Sequence, residues 1–147
     1  MSRKMPPVHP TARVTPFLRF AIVDLRRLRG HEQIRPSLLK QLVDQIRQDG
    51  VLKKPILVAD KDFVILDGHH RAEALRSLGC RRIPVYFVEY ESDAVRLSTW
   101  PGAVVTVVDK IDVLRRAREQ DLFPPKTTRH TMSVPIEDRP TPLDDLR

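Results

Sequence analysis

Apolar positions along the chain follow two different periods, and these periods predict strands and helices in alternation. Leu38, Leu42 and Ile46 recur at helical spacing behind Pro36, and Gly50 follows as a helix stop. We therefore predict an amphipathic helix that buries this apolar face. Short apolar runs predict strands over 20–25, 55–59, 63–66 and 83–88.

The rest of the pattern completes a domain of mixed α and β structure. Asp60-Lys61-Asp62 is a turn between two of the strands, which are therefore predicted to form a hairpin. Helical spacing predicts two more helices, from about His69 to Leu78 and from Asp109 to about Gln120. Pro84 suggests an edge position or a strand start, and Val104–Val108 is β-prone. The predicted fold class is α+β, a small sheet with flanking helices.

Prolines concentrate at both ends of the chain. Four of the 13 prolines fall within residues 1–16, and three more fall within 133–147. Such a density opposes both helix and central strand. We expect a basic, proline-rich tail over 1–16, one domain over 17–132 and a flexible C-terminal tail over 133–147.

Length and composition are typical of one globular domain that has an anionic partner. The 147 residues bury a modest core, and the net charge of +7 predicts a nucleic acid or a smaller phosphate compound as partner. The 5% aromatic content offers little for base-stacking platforms. The single cysteine, Cys80, excludes an internal disulfide and favours a reducing, cytoplasmic location. No apolar run approaches the ~20 residues of a membrane span, so no membrane partner is expected.

The most informative stretch is Asp67-Gly68-His69-His70-Arg71, between an apolar strand and a helix start. A helix start leaves backbone N–H groups unpaired and carries about half a positive charge. Two histidines and an arginine placed there predict an anion site, with phosphate as the expected ligand. Asp67, the one acid, requires a metal, a histidine or a substrate hydroxyl or amine as its partner. A basic, solvated helix N-terminus is the alternative interpretation.

A second unusual stretch follows Phe123. Pro124 and Pro125 fix an extended approach to Lys126-Thr127-Thr128-Arg129-His130. These five side chains are cations, hydroxyls or an imidazole, and with loop N–H groups they suit a polyphosphate. A flexible basic tail explains the same composition equally well.

Four motifs together resemble the free serine kinase branch of the ParB/sulfiredoxin superfamily. They are Gly30-His31-Glu32, Asp67-Gly68-His69-His70-Arg71, Thr99-Trp100 and Pro124-Pro125-Lys126-Thr127-Thr128-Arg129-His130. The resemblance runs from about Phe20 to His130. It implies a ParB/sulfiredoxin-like fold and phosphoryl transfer from ADP or ATP to the hydroxyl of free L-serine, giving O-phospho-L-serine. Mg²⁺ is the implied cofactor, held mainly through the phosphates.

The resemblance also implies a role for each matching residue. Glu32 is the implied base that removes the serine hydroxyl proton. Asp67 is the implied ligand of serine or of its metal, and Trp100 lines the implied serine pocket. The implied phosphate- and nucleotide-binding residues are Gly68, His69, His70, Arg71, Lys126, Thr127, Thr128, Arg129 and His130.

Two other branches of the superfamily give competing interpretations. Sulfiredoxin chemistry requires a cysteine in the phosphate loop, where this chain has His69, and Cys80 lies ~15 Å away at the far end of the predicted helix. A ParB-like DNA-binding or nucleotide-switch protein agrees with the charge of +7, but no helix-turn-helix pattern follows the core. The stretch between Trp100 and Phe123 is also short for a serine kinase. Small-molecule substrates are the expected partners, and nucleic acid is the alternative.

Overall fold

The structure is a computed structural model and describes residues 12–15 and 18–147. Short 3₁₀ helices cover Leu25–Arg27 and Leu143–Asp145. The other elements, in chain order, are β1 (Ala12–Thr15), β2 (Leu18–Asp24), α1 (Pro36–Asp49), β3 (Val51–Leu52), β4 (Ile56–Ala59), β5 (Ile65–Asp67), α2 (His69–Ser77), β6 (Arg82–Val88), β7 (Val95–Thr99), α3 (Lys110–Glu119), β8 (Thr128–Met132) and β9 (Thr141–Pro142).

A five-stranded sheet forms the central layer, in the order β1-β2-β6-β4-β5. β4 and β6 are parallel, and the other neighbouring strands are antiparallel. The predicted hairpin is confirmed as β4 and β5. The last residue of β5 is Asp67, so the chain passes from this strand through Gly68 directly into α2.

β6 is a central strand, contrary to the edge position that Pro84 suggested. Pro84 pairs with Ile22 of β2, and the parallel pairing with β4 begins one residue later, at Val85. Because Pro84 precedes that pairing, its missing N–H removes no hydrogen bond on the β4 side. The proline is accommodated near the strand start, which was the other position that the sequence suggested.

Alternate side chains of the sheet enter two hydrophobic cores, one on each face. Around β5, Ile65 packs into the core that α1 and α2 cover, whereas Val64 and Leu66 pack into the opposite core. α3 covers this second core with Val113 and Ala117. The helices therefore flank a small sheet on both faces, and the predicted α+β class is confirmed.

The three predicted helices are confirmed to within one residue at each end. Gly50 ends α1 in the left-handed region, with a φ of 71°. Asp109 begins α3, and its carboxylate accepts a hydrogen bond from the Asp112 N–H. No helix among the described residues is long and apolar enough to cross a membrane.

One segment predicted as β-prone forms no strand. Val104–Val108 is irregular, and Val104 and Val107 are exposed. β-propensity reflects packing on a sheet surface, and the neighbouring strands β7 and β8 pair with each other instead. β7 was not predicted, because its polar residues hide the alternation of Val95 and Leu97.

Both ends of the chain contain structure where tails were expected. β1 lies within the expected N-terminal tail and pairs with β2; the rest of that tail lies outside the described residues. The C-terminal segment 133–147 contains β9, which pairs with β3. Leu143 and Leu146 are 5% and 0% exposed and anchor this segment in the first core. In the sequence, two leucines three residues apart indicate a buried segment only weakly, whereas the three prolines of the same segment indicate a tail.

Candidate functional site

The start of α2 leaves backbone N–H groups open to a ligand. Gly68 has a φ of 121°, and a Cβ atom there would lie 2.3 Å from Ile56 Cγ2, so glycine is required. The first intrahelical hydrogen bond runs from the Ala72 N–H to the Gly68 carbonyl oxygen. Within the described part of the chain, no side chain caps this helix. The N–H groups of the three residues before Ala72 therefore form an anion-binding feature.

The two histidines at this helix start are neutral and add no positive charge. His69 Nε2 accepts a hydrogen bond from the His31 N–H at 3.1 Å, and His70 Nε2 accepts one from the Arg35 N–H at 2.9 Å. An accepting Nε2 carries no proton, so each neutral ring holds its proton on Nδ1. Burial lowers the pKa of both imidazoles. The histidines are thus neutral hydrogen-bond donors, not the cations that the sequence suggested.

Arg71 and Asp67 contact each other at the edge of the same feature. Arg71 Nη2 lies 3.3 Å from Asp67 Oδ2. Arg71 Nη1 also donates to the carbonyl oxygens of Pro55, at 3.0 Å, and Lys54, at 3.2 Å. The Asp67 side chain remains 64% exposed. Arg71 is therefore an anchored cation, and Asp67 presents an accessible carboxylate.

The accessible carboxylate fits a Mg²⁺ ion that is bound mainly by phosphates. Mg²⁺ keeps several waters and commonly takes one or two protein carboxylates besides substrate phosphates. Asp67 supplies one such carboxylate beside the open N–H groups. The described residues contain no group of three or more histidine, cysteine or acidic side chains that would hold a metal by itself.

The turn at Lys126 and the start of β8, together residues 126–130 and called the second loop below, form a second anion-binding feature, and Glu32 occupies it. Lys126 has a left-handed φ of 59°, so successive N–H groups converge in a nest. Glu32 Oε1 accepts from the Thr127 N–H at 3.2 Å and the Thr128 N–H at 2.9 Å. Its Oε2 accepts from the Lys126 N–H at 3.2 Å. The second loop thus binds a carboxylate of the protein itself.

A parallel β-bridge holds Glu32 beside this loop. The Phe123 N–H donates to the His31 carbonyl oxygen at 2.9 Å, and the Gln33 N–H donates to the Phe123 carbonyl oxygen at 2.8 Å. Phe123 is fully buried, which fixes the bridge against the second core. Pro124 keeps the chain extended, and the turn follows at Pro125 and Lys126.

His31 lies behind Glu32 and is fully buried. Its Nδ1 lies 2.8 Å from the Ile65 carbonyl oxygen, and its Nε2 lies 2.7 Å from Thr128 Oγ1. Thr128 Oγ1 is also 2.9 Å from Glu32 Oε1. Burial lowers the pKa of His31 to about 4, so the imidazole is neutral near pH 7.

Two cations of the second loop lie over the ring of Trp100. Lys126 Nζ lies 5.4 Å and Arg129 Cζ 4.7 Å from the ring centroid. The indole N–H donates to the Thr128 carbonyl oxygen at 3.0 Å. Cation–π contacts of this kind stabilise an exposed pair by about 0.5–1 kcal/mol. Trp100 therefore restricts where these two cations lie.

Thr127 and His130 make their hydrogen bonds within the protein. The Thr127 hydroxyl donates to the Pro124 carbonyl oxygen at 2.7 Å. His130 Nε2 lies 2.7 Å from the Tyr90 hydroxyl oxygen, and burial lowers the pKa of His130 to about 3. These side chains support the loop, and their contact with a nucleotide stays a prediction.

Both loops open onto one cavity of about 260 Å³. The structure brings most of the predicted site residues to this cavity, while Thr127, Arg129 and His130 stand outside its lining. The lining residues are Glu32, Leu42, Leu66, Asp67, Gly68, His69, His70, Arg71, Trp100, Lys126 and Thr128.

Sequence reasoning assigned no role to three residues that shape this cavity, although two of them, Gly30 and His31, belong to a motif that it singled out. His31 and Tyr90 hold side chains of the second loop, and neither has a local signal beyond the position of His31 next to Glu32. A Cβ atom at Gly30 would lie 2.9 Å from His69 Cδ2, so this glycine allows the His31 backbone to approach α2.

The fold and the cavity define a class of protein, a mixed α and β domain whose loops present backbone N–H groups to an anion. The chain belongs to the family of ParB N-terminal domains, whose model matches residues 13–99. Over 109 residues it is 36% identical to an ATP-dependent L-serine kinase of Staphylothermus marinus, a match that covers 71% of this chain and 41% of the relative. Over 107 residues it is 30% identical to the ADP-dependent L-serine kinase SerK of Thermococcus kodakarensis, covering 70% and 43%.

A solved structure shows the same fold. A mutant of a free serine kinase in complex with ADP matches with a TM-score of 0.80 and 17% identity, covering 96% of this chain and 98% of that chain. The predicted resemblance to the serine kinase branch is confirmed by these matches. The chain spans less than half the length of the two curated relatives.

Proposed function

We propose that the protein transfers a phosphoryl group from ADP or ATP to the hydroxyl of free L-serine, giving O-phospho-L-serine. The observation that carries this proposal is the Glu32 carboxylate, which lies in the same cavity as the open N–H groups of α2. The N–H groups of α2 suit a phosphate, and the Glu32 carboxylate can accept a proton. Phosphoryl transfer to a hydroxyl requires both. The similarity to proteins named L-serine kinases supports these substrates. A cytoplasmic location is part of the proposal.

In this proposal the start of α2 holds the transferring phosphoryl group. The N–H groups that follow Gly68 and the Nδ1–H groups of His69 and His70 donate to its oxygens, and Arg71 neutralises its charge. A bound Mg²⁺ would offset the negative charge of the phosphates. Asp67 binds the serine ammonium group or this ion.

The second loop approaches the nucleotide from the other side of the cavity. Lys126 and Arg129 bind nucleotide phosphates from positions that Trp100 restricts, and Trp100 borders the serine. The three remaining side chains of the loop, those of Thr127, Thr128 and His130, keep the backbone in place.

Glu32 acts as the base through its Oε2 atom. Oε2 accepts one long hydrogen bond, whereas Oε1 accepts three, so Oε2 has room for the substrate hydroxyl. The hydroxyl proton moves to Oε2 while the serine oxygen forms a bond to phosphorus. The bond between phosphorus and the leaving nucleotide oxygen breaks, and its electron pair stays on the nucleotide.

An activity assay tests the proposal. Purified protein with L-serine, Mg²⁺ and either ADP or ATP is expected to form O-phospho-L-serine, measured by ³¹P NMR. Glu32→Ala is expected to lower turnover by about 10²–10⁴-fold, because general base catalysis contributes that much. ADP binding, measured by calorimetry, should persist since the start of α2 is unchanged.

Glu119→Ala, which removes an exposed acid on α3, is the matched control and should keep full turnover. Absence of phosphoserine with both donors contradicts the proposed function. Loss of nucleotide binding together with turnover in Glu32→Ala would show that Glu32 is structural.

Family membership and the charge of +7 favour one second function, a ParB-like DNA-binding or nucleotide-switch protein without kinase activity. Such a protein binds duplex DNA with an affinity that falls steeply with salt, because counterions are released on binding. Duplex binding compared at about 50 mM and about 200 mM salt tests it. No binding at the lower concentration excludes this function.

A further inference from the structure

The hydroxyl of Thr128 has two hydrogen-bond acceptors and a single proton. Its Oγ1 lies 2.7 Å from His31 Nε2 and 2.9 Å from Glu32 Oε1. A hydroxyl donates one hydrogen bond, so a second proton for these two contacts has to come from His31 or from Glu32.

His31 does not supply this proton. Its Nδ1 lies 2.8 Å from the Ile65 carbonyl oxygen, which only accepts, so the imidazole proton is on Nδ1. The ring is fully buried, and burial lowers its pKa to about 4. The ring is therefore neutral, and Nε2 is an acceptor.

Glu32 does not supply it in the free protein either. Its two oxygens accept hydrogen bonds from three backbone N–H groups of the nest, and such bonds favour the charged carboxylate. Both neighbours of Thr128 Oγ1 are therefore acceptors. The hydroxyl proton satisfies one of them and leaves the other without a donor.

We propose that the Thr128 hydroxyl donates to Glu32 in the free enzyme and turns to His31 once Glu32 has taken up the substrate proton. This proposal rests on the proposed function through the role of Glu32 as base. The proton from the serine hydroxyl stays on Oε2, and the Thr128 O–H bond rotates without breaking. Since protonated Glu32 is a weaker acceptor, His31 Nε2 then receives the stronger hydrogen bond.

The consequence is that His31 stabilises the protonated state of Glu32 without touching substrate. The protonated state of Glu32 gains a Thr128–His31 hydrogen bond that the charged state lacks. Thr128 and His31 are thus positioning residues for the base. The charged and titratable groups that face them are Asp67 from β5, His69, His70 and Arg71 from α2, and Lys126 and His130 from the second loop.

Turnover and ADP binding of the full-length protein together test the switch. Thr128→Val removes the hydroxyl that turns to His31 and is expected to lower kcat by about tenfold. His31→Asn keeps an amide N–H for the Ile65 carbonyl but has no acceptor at Nε2, and it is expected to lower kcat by about threefold. ADP binding should persist in both variants, whereas a general loss of packing weakens it.

Two conservative variants are the controls. Thr128→Ser keeps the hydroxyl and is expected to keep the wild-type kcat. His31→Gln extends its amide oxygen to the Nε2 position and is expected to restore most of kcat. KM should stay within about twofold of wild type in all four variants, because neither residue touches substrate.

The tautomer of His31 gives a readout that needs no activity. A long-range ¹H–¹⁵N correlation near neutral pH is expected to show the proton on Nδ1 and none on Nε2. A proton on Nε2, or a wild-type kcat in both Thr128→Val and His31→Asn, overturns the switch. Absence of phosphoserine from the wild-type protein rejects the kinase, whereas a proton on Nδ1 alone still supports a Thr128 hydroxyl that can donate to His31 Nε2.

Discussion

The two anion-binding loops of the cavity share a chemistry and differ in what they hold. At the start of α2, three N–H groups precede the first intrahelical bond and remain open to a ligand. In the second loop, three converging N–H groups already bind Glu32. The first loop is therefore the one that we propose for a substrate anion. The second uses converging backbone N–H groups to fix the carboxylate that we propose as the base.

The loops also differ in the source of their positive charge. Around α2 the histidines are neutral, so the positive electrostatic potential comes from backbone dipoles and from Arg71. In the second loop it comes from Lys126 and Arg129, two cations held on Trp100. Backbone dipoles are fixed and partly buried, whereas side-chain cations are exposed and screened by salt. This difference predicts how each loop responds to mutation and to solvent.

Acidic pH is expected to destabilise the protein through the buried histidines that hold the two loops. This is the largest change in the free energy of unfolding that we predict. An imidazole titrates near pH 6.5 in the unfolded chain, but burial lowers the pKa of His31 to about 4 and of His130 to about 3. The unfolded state therefore binds more protons as the pH falls below about 6.5, and stability falls with it. From pH 7.5 to 5 the free energy of unfolding should drop by about 2 kcal/mol for each of these two histidines, and buried His69, whose pKa burial also lowers, adds to the drop.

Urea denaturation at the two pH values measures this drop. Most carboxylates remain ionised at pH 5, so histidines dominate the change. In His130→Asn the drop should become smaller by about 2 kcal/mol, because the contributions of His31 and His69 remain. An equal free energy of unfolding at both pH values would show that these imidazoles are accessible to protons in the folded protein.

The first loop was predictable because its signals are local. A strand, Gly68 and the start of a helix occur within a few residues, and the helix stop at Gly79 follows soon after. The same holds for α1, with Pro36 at its start and Gly50 at its end. Each of these features depends on backbone preferences that neighbouring residues set.

The second loop was only half predictable because its partner is distant in sequence. Glu32 meets the Lys126 N–H from 94 residues away, and no pattern near either residue indicates the contact. The pairing of Val95 with Met132 and the burial of Leu146 are likewise set by tertiary packing. The sequence therefore indicates which residues are unusual, and the long-range contacts decide what each of them does.

Gly68→Ala is expected to damage the first loop alone. A methyl group at a φ of 121° and 2.3 Å from Ile56 Cγ2 combines backbone strain with overpacking, for a cost of about 3 kcal/mol. Displacement of the three open N–H groups should weaken ADP binding by about 100-fold, since each charge-assisted hydrogen bond is worth about 1.5 kcal/mol or more. Urea denaturation and calorimetry measure the two effects.

Gly79→Ala is the matched control for this prediction. Gly79 also has a positive φ, 79°, but a Cβ atom there meets nothing within 4 Å. It should cost about 1 kcal/mol from backbone strain and leave ADP affinity unchanged. Equal losses of ADP affinity in the two variants would mean that the start of α2 does not hold the phosphate.

Lys126→Ala is expected to give the smallest effect, confined to the second loop. Removing one exposed cation should weaken ADP binding by about fivefold at low salt, about 1 kcal/mol, because an exposed ion pair contributes no more than this. The loss should shrink as salt rises, since screening already weakens the wild-type contact. The loss in Gly68→Ala should persist, because its hydrogen bonds come from the backbone.

Arg118→Ala separates a local contact from the effect of net charge. Arg118 is an exposed cation on α3, so its removal lowers the net charge of +7 by the same amount without touching either loop. At about 0.1 M salt, where the Debye length is about 10 Å, it should leave ADP affinity within about 1.5-fold of wild type, since more distant charges are largely screened. If Lys126→Ala and Arg118→Ala lose ADP affinity equally, the second loop attracts ADP only through its contribution to the net positive charge of the protein. Glu32 would then be the functional group that this loop contributes, and the cations on Trp100 would serve to order it.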